Sequence, residues 1–268
     1  MESIQELTVR RWISDKCWGT LGPIMVSVRR SKAGSPPKQS DRDFLEALIW
    51  ESRTGAPWRD MPKELGRWET VYMRFRRWEA AGIWRRLWEA LQEESLAEAL
   101  SVFMDSTTVR AHQHAAGAPG KTAEQSALGR SRGGLTTKIH VAAVNENQAV
   151  AIQITPGQSS DCAQFEPLYE ALPEENILES AALDKGYDTN AIRERLALDG
   201  IEPVIPGRSN RVEPIVYDKI KYKERNRVER FFNKIKNFRR IATRYEKHAF
   251  TFLALIHISA AFIAARIR

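Results

Sequence analysis

Cysteine is scarce in this 268-residue chain: Cys17 and Cys162 stand alone, far apart and without metal-ligand spacing. They cannot build a disulfide framework, and a reducing cytoplasm suits them best. The N-terminus, Met1-Glu-Ser-Ile-Gln-Glu6, has neither the basic start nor the apolar run of a secretory signal. Long apolar runs are missing except for Ala249 to Ala265, which is short for a membrane span and carries His257 and Ser259. That run reads as a buried terminal helix, and no membrane partner is expected. Tryptophan is absent beyond residue 88. All eight fall between Trp12 and Trp88, which points to a separate small core in the first third of the chain. Acidic residues are thin in one segment: residues 219–247 hold twelve Lys/Arg against three Asp/Glu, while the rest of the chain has 29 basic and 31 acidic residues. The net charge of +7 is therefore concentrated, as on a surface that meets a polyanion, nucleic acid above all.

Residues 1–95 read as helical. Ser14-Asp15 caps a first short helix, and Ser31 to Ser40 reads as a linker rich in Lys, Gly, Pro and Ser. Asp41 opens a second helix with Phe44, Leu45, Leu48 and Ile49 at helical spacing, ended by Gly55-Ala-Pro57. A third, Trp68 to Trp78, carries Val71, Tyr72, Phe75 and Trp78 on one side and Arg74, Arg76 and Arg77 elsewhere. Gly82 breaks it before a fourth, patterned by Ile83, Leu87, Trp88 and Leu91. Short helices with tight turns and an arginine-bearing member resemble a helix-turn-helix domain, whose arginines reach phosphates or base edges. A helical cap with solvated arginines has the same pattern.

From Ser101 the pattern is α/β. Val102-Phe-Met-Asp105 is a short strand ending in an acid; Thr137 to Val144 and Gln148 to Thr155 form a hairpin around Asn145-Glu-Asn147. A helix over 161–172 follows, then Ala181-Ala-Leu183 ends in Asp184. Asp188 caps a helix to Leu198, Ile201 to Ile205 is a further strand, and a last amphipathic helix begins near Tyr222. Residues 111–134 read as a loop with His112, His114, Arg130 and Arg132; the two histidines have no third soft ligand nearby and fit DNA contact or solvation better than metal.

At about 100° per residue, Tyr222, Arg225, Glu229 and Lys236 share a narrow arc of the last helix, beside an apolar stripe of Val228, Phe231, Phe232 and Ile235. Alone, this is an ordinary amphipathic helix with Glu229 paired to Arg225 one turn earlier. The spacing Tyr-x2-Arg-x3-Glu-x6-Lys resembles the signature around the last acid of DDE transposases from bacterial insertion sequences. Arg53-Thr-Gly-Ala-Pro-Trp-Arg-Asp60, Asp105 to Gly117, Gly129 to His140 and Asp184-Lys-Gly-Tyr-Asp188 resemble the insertion-sequence-five group within it, so the likeness runs from about residue 12 to the end.

The resemblance implies an RNase H-like catalytic core over 96–268, preceded by a small all-α, helix-turn-helix-like DNA-binding domain over 1–95. The strand and helix order fits that core, in which the first and fourth strands are neighbours. Asp105 and Asp184 would then lie side by side with Glu229 brought across them, a catalytic and metal-binding triad. Oxygen-only ligands favour Mg²⁺ or Mn²⁺, two ions per site, and exclude the need for an organic cofactor. Glu229 would then face metal and leave Arg225 free for phosphate, with Tyr222, Arg225 and Lys236 on DNA near the scissile bond and Arg74, Arg76, Arg77, Arg130 and Arg132 as further DNA contacts. The expected partners are the element's terminal inverted repeats, target DNA and at least one further copy of the chain, in a cytoplasmic, nucleoid-associated setting. A catalytically silent transposase-derived DNA binder and a metal-dependent nuclease without strand transfer are the competing readings.

Overall fold

The computed structural model describes residues 10–29, 38–92, 99–117, 122–131, 133–172 and 178–266. The linker read at 31–40 falls mostly, and the domain boundary at 95–96 wholly, outside them. Among the described residues four helices come first: α1 (Asp15–Ser27), α2 (Asp41–Thr54), α3 (Trp68–Ala80) and α4 (Ile83–Ala90). Hydroxyl caps start two of them: Ser14 Oγ accepts from the Cys17 N–H and Ser40 Oγ from the Asp43 N–H. Gly55 ends α2 at φ +67° and Gly82 opens α4 at φ +68°, left-handed backbone that L side chains rarely adopt.

Seven strands follow: β1 (Ser101–Ala111), β2 (Gly129–Ser131), β3 (Gly134–Asn145), β4 (Gln148–Pro156), β5 (Ser180–Leu183), β6 (Glu202–Val204) and β7 (Thr243–Arg244). β3 pairs antiparallel with β1 on one edge and with β4 and β2 on the other. Across β1, β5 and β7 run parallel to it, and β6 extends the sheet beyond β5. The path β4-β3-β1-β5-β6, three antiparallel strands continued by parallel ones, is the RNase H-like arrangement. Helices α5 (Ala123–Ser126), α6 (Phe165–Glu170), α7 (Asn190–Leu198), α8 (Lys219–Lys223), α9 (Asn226–Lys236), α10 (Arg239–Ala242) and α11 (Ala249–Ala265) complete the order.

Alternation along β1 sends its apolar residues to two cores. Val102 and Met104 pack with Phe165, Leu168, Ile192 and Leu196 from α6 and α7. Phe103 and Val109 pack on the opposite face with Val228, Phe231 and Ile235 of α9. That second core does not stop at the sheet. Phe44 and Leu48 of α2, Trp84 and Trp88 of α4, and Phe252, Leu255 and Phe262 of α11 belong to the same cluster. The expectation of a separate tryptophan-lined core is thus corrected. Helix α11 has no polar face, so it must be enclosed all round, and the N-terminal helices supply the side the sheet cannot. His257 on α11 stacks on Trp88 at 4.8 Å, and burial pushes its pKa down to about 3. The terminal helix is buried as the sequence predicts, and no described helix is long and apolar enough to cross a membrane.

Three other expectations change. Strand β1 runs six residues past Asp105 instead of ending there, because β3 pairs with it as far as Arg110. Residues 111–134 contain α5 and β2, held by the buried Arg244, which donates to the carbonyls of Ser126 and Ala127 and to Thr137 Oγ1. The helix expected from Tyr222 is broken: α8 ends at Lys223 and α9 starts at Asn226, with Arg225 in the turn between them.

Candidate active site

The pairing of β1 with β5 ends at Met104 opposite Leu183, and the next residue on each strand is Asp105 and Asp184. Parallel register therefore brings the two aspartates side by side. Asp105 Oδ1 accepts the Ser106 N–H at 2.8 Å, and Oδ2 accepts Arg225 Nη1 at 2.7 Å. The same guanidinium donates through Nη2 to Glu229 Oε1. One arginine thus ties α9 across to β1 and links two of the three predicted acids.

Burial raises the pKa of Asp105 most; Arg225 and the Ser106 N–H oppose this, and the nearby Asp184 charge adds to it. Burial likewise raises Tyr222, against the pull of Arg225, whose guanidinium lies 5.7 Å from its ring centre. Lys236 donates to Thr107 Oγ1, two residues past Asp105 on the same face of β1, and burial lowers its pKa. Tyr222, Arg225, Glu229 and Lys236 therefore gather along one side of β1 as the spacing implied, although a helix break lies among them.

The expected freeing of Arg225 from Glu229 is not what the structure has. Among the described residues no three His, Cys, Asp or Glu side chains enclose a cation position, and the guanidinium lies between Asp105 and Glu229 instead. The reason is electrostatic: converging carboxylates, one of them half-buried, need positive charge between them. The donor set is carboxylate oxygen throughout, which fits Mg²⁺ or Mn²⁺ and not zinc.

The outer arginines divide. Arg74 is buried, ion-paired to Asp41 and stacked over Phe44 at 4.1 Å, so it braces α3 against α2 and presents no free surface to DNA. That expectation is corrected. The helical spacing that put Arg74 off the apolar stripe could not show a carboxylate waiting on α2. Arg76 is half-buried and bonded to Tyr72 Oη and Glu79. Arg77 on α3 and Arg130 on β2 are exposed, and Arg132 lies outside the described residues. His112 and His114 pack on each other at 4.4 Å, and His112 on Tyr245 at 4.9 Å.

Sequence reasoning missed a fourth acid. Asp161 Oδ1 accepts Ser106 Oγ at 2.7 Å and Lys138 Nζ at 3.1 Å, and lies 3.7 Å from His140 Nδ1. Burial pushes the His140 pKa down to about 4, with Asp161 opposing. Asp161, Asp105 and Asp184 each raise the buried Tyr187 hydroxyl, after burial itself. The visible signal was Lys138 and His140, the two ionisable residues of β3, two apart.

Asp188, expected as a helix cap, is a clamp instead. Thr189 caps α7, while the fully buried Asp188 carboxylate accepts the Arg208 N–H at 2.7 Å, Arg211 Nε at 2.6 Å and Arg193 Nε at 2.9 Å. Burial alone would raise its pKa, but these partners outweigh burial and hold it well below the usual carboxylate range. A depressed pKa stabilises the fold above the unfolded value near 4 and loses that contribution as pH falls below it. Asp188→Ala is expected to cost about 3–5 kcal/mol at pH 7, because two arginines lose their buried partner. Urea melts should show that difference shrinking below pH 4.

Comparisons with known proteins give the chain's family. Residues 13–88 match the family model described as "Putative transposase of IS4/5 family", and residues 100–263 match the "Transposase DDE domain" model. The chain is 35% identical over 133 residues to "Putative transposase for insertion sequence element IS6501" of Brucella ovis, covering 49% of this chain and 100% of that protein. It is 39% identical over 106 residues to "Uncharacterized protein y4sN" of Sinorhizobium fredii, covering 40% of this chain and 82% of that one. Among solved structures, a piggyBac transposase synaptic complex with hairpin DNA aligns at TM-score 0.45 and 10% identity, over 96% of this chain and 72% of that one. A pre-cleavage Mos1 transpososome aligns at 0.29 and 13%, over 87% and 80%. Since the DDE domain model spans more than half of its length, the chain belongs to the DDE transposase family of bacterial insertion sequences.

Proposed function

We propose that this transposase binds the terminal inverted repeats of its insertion sequence, cleaves the element ends and joins the freed 3′-hydroxyls to target DNA. The observation that carries this reading is the parallel pairing of β1 with β5 up to Met104 and Leu183, each followed at once by an acid, Asp105 or Asp184, with Glu229 linked to Asp105 through Arg225. Asp105, Asp184 and Glu229 would hold two Mg²⁺ or Mn²⁺ ions. When bound, such a pair activates the attacking oxygen and stabilises the leaving oxygen of a phosphodiester, so no protein nucleophile is required. Water attacks first and leaves a 3′-hydroxyl; that hydroxyl then attacks a target phosphodiester in the same site.

The chain's own groups position the DNA. Arg225 has two N–H donors already fixed on carboxylates, and its planar fork matches two phosphate oxygens once it is released from them. Lys236, partly desolvated beside Thr107, offers a point charge to the next phosphate. Tyr222 donates to a phosphate or stacks on a base in this reading. Arg225→Ala and Lys236→Ala should each flatten the salt dependence of end binding by about one phosphate contact, read from log Kd against log salt. An unchanged slope removes that residue from the interface.

Two ends must be held together for joining, so a dimer on paired ends is the smallest working assembly, and bacterial cytoplasm at the nucleoid is its setting. A strand-transfer assay with precleaved ends, Mg²⁺ and supercoiled target tests the function. Joined product is expected. Nicking without joining would make the protein a nuclease, and stable complexes without either would make it a DNA binder.

A further inference from the structure

Past the far end of β1 lies a second site. Strand β1 continues to Ala111, where β7 pairs with it, six residues and about 20 Å along the strand from Asp105. The chain leaving β7 forms one wall of a cleft of about 270 Å³, lined by Trp58, Trp68, Tyr72, Arg76, Tyr245 and Lys247 among others. The four aromatic rings are all partly exposed, and Lys247 is exposed at the rim. Trp58 meets Tyr72 edge-on at 5.1 Å, which holds the two rings at a fixed angle. Arg240 lies beneath, 5.7 Å from the Trp58 ring and 5.6 Å from the Tyr245 ring. Trp58 comes from the Arg53–Asp60 motif, for which the catalytic scheme has no use.

We propose that this cleft receives an unstacked nucleobase from a single DNA strand whose backbone passes the acids and Lys236. Aromatic faces beside basic side chains are the chemistry that holds single-stranded nucleic acid, with bases on the rings and phosphates on the cations. Every base has a π-face, so the cleft tolerates any base. A purely apolar ligand would not need Lys247, and a free phosphate would not need four rings. The separation from Asp105 sets the distance: the base entering the cleft lies several nucleotides from the scissile phosphate. The proposal rests on the transposase reading for the path of the strand, but its test does not require cleavage.

The test uses the full chain without divalent metal and two fluorescein-labelled 12-mers of equal phosphate count, oligo(dT) and a fully abasic strand, titrated by anisotropy at one salt concentration. Wild type should bind oligo(dT) about tenfold more tightly than the abasic strand, the effect of one stacked base. Trp68→Ala should bind both at the abasic level, and Lys247→Gln should weaken both equally. If Trp68→Ala does not fold, Tyr72→Leu serves, and the wild-type comparison depends on neither. Equal wild-type affinities for the two strands would overturn the proposal, as would a base preference that survives both Trp68→Ala and Tyr72→Leu. A protein that cuts element ends without distinguishing the strands loses the cleft and keeps the transposase reading; one that prefers bases but cuts nothing does the reverse.

Discussion

Glu229→Gln is expected to abolish cleavage and joining, by about 10³-fold or more, while leaving folding and end binding intact. The glutamate is half exposed and its pair with Arg225 is a one-turn contact, so neutralising it costs little stability. The glutamine keeps one oxygen to accept from Arg225 but loses the charge that a divalent ion requires. Asp105→Asn should match it in activity and likewise cost the fold little. Asp105 already sits where burial and Asp184 raise its pKa, so the neutral amide is no worse for the fold than the carboxylate. Activity of either variant on precleaved ends, alongside its melting temperature, checks both statements.

A stability loss as large as that of Asp188→Ala is expected from Arg240→Met. Arg240 donates to Glu246 at 2.6 Å and to the Ala56 carbonyl at 2.9 Å, and lies 2.6 Å from Glu51 on α2. It is nine-tenths buried and joins the N-terminal helices to the segment after α10. Its removal leaves the buried carboxyl groups of Glu51 and Glu246 without their cation, costing about 3–5 kcal/mol. At this chain length that lowers Tm by roughly 10 °C. Burial raises the Glu51 pKa to about 8, with Arg240 opposing and Glu246 and Asp60 adding to the rise. The sign follows: the folded state holds a proton that the unfolded state releases near pH 4.5, so stability falls as pH rises from there toward 8. Arg240→Met should steepen that fall and Glu51→Gln should flatten it. Melts at pH 6 and pH 8 separate these, and an equal loss at both values would refute the ion-pair account.

The core of the site was legible because its residues are fixed by local pattern. Asp105 and Asp184 each follow a short apolar run, and parallel pairing of those runs leaves the two acids adjacent. The positions of Tyr222, Arg225, Glu229 and Lys236 survived a break that the spacing could not reveal, since Arg225 sits in the turn and is held there by Asp105, 120 residues away in sequence. Long-range charge pairing is where the sequence reading failed. Arg74 looked solvated because Asp41 is on another helix. Asp188 looked like a cap until Arg208 and Arg211 folded back onto it. Asp161 belonged to no motif and is identified only by Lys138 and Ser106 reaching it from two strands. The tryptophans suggested a separate core because periodicity marks which face is apolar, not which partner covers it, and here the partner is α11 at the far end of the chain.

The central claim is that Arg225 holds the place of metal charge between carboxylates that bind divalent ions. Anomalous scattering from Mn²⁺-soaked crystals tests it most directly. Two manganese peaks among Asp105, Asp184 and Glu229, with the Arg225 guanidinium withdrawn from Asp105, are the expected result. Manganese absent from these acids, with Arg225 still bridging Asp105 and Glu229 at saturating metal, would contradict it.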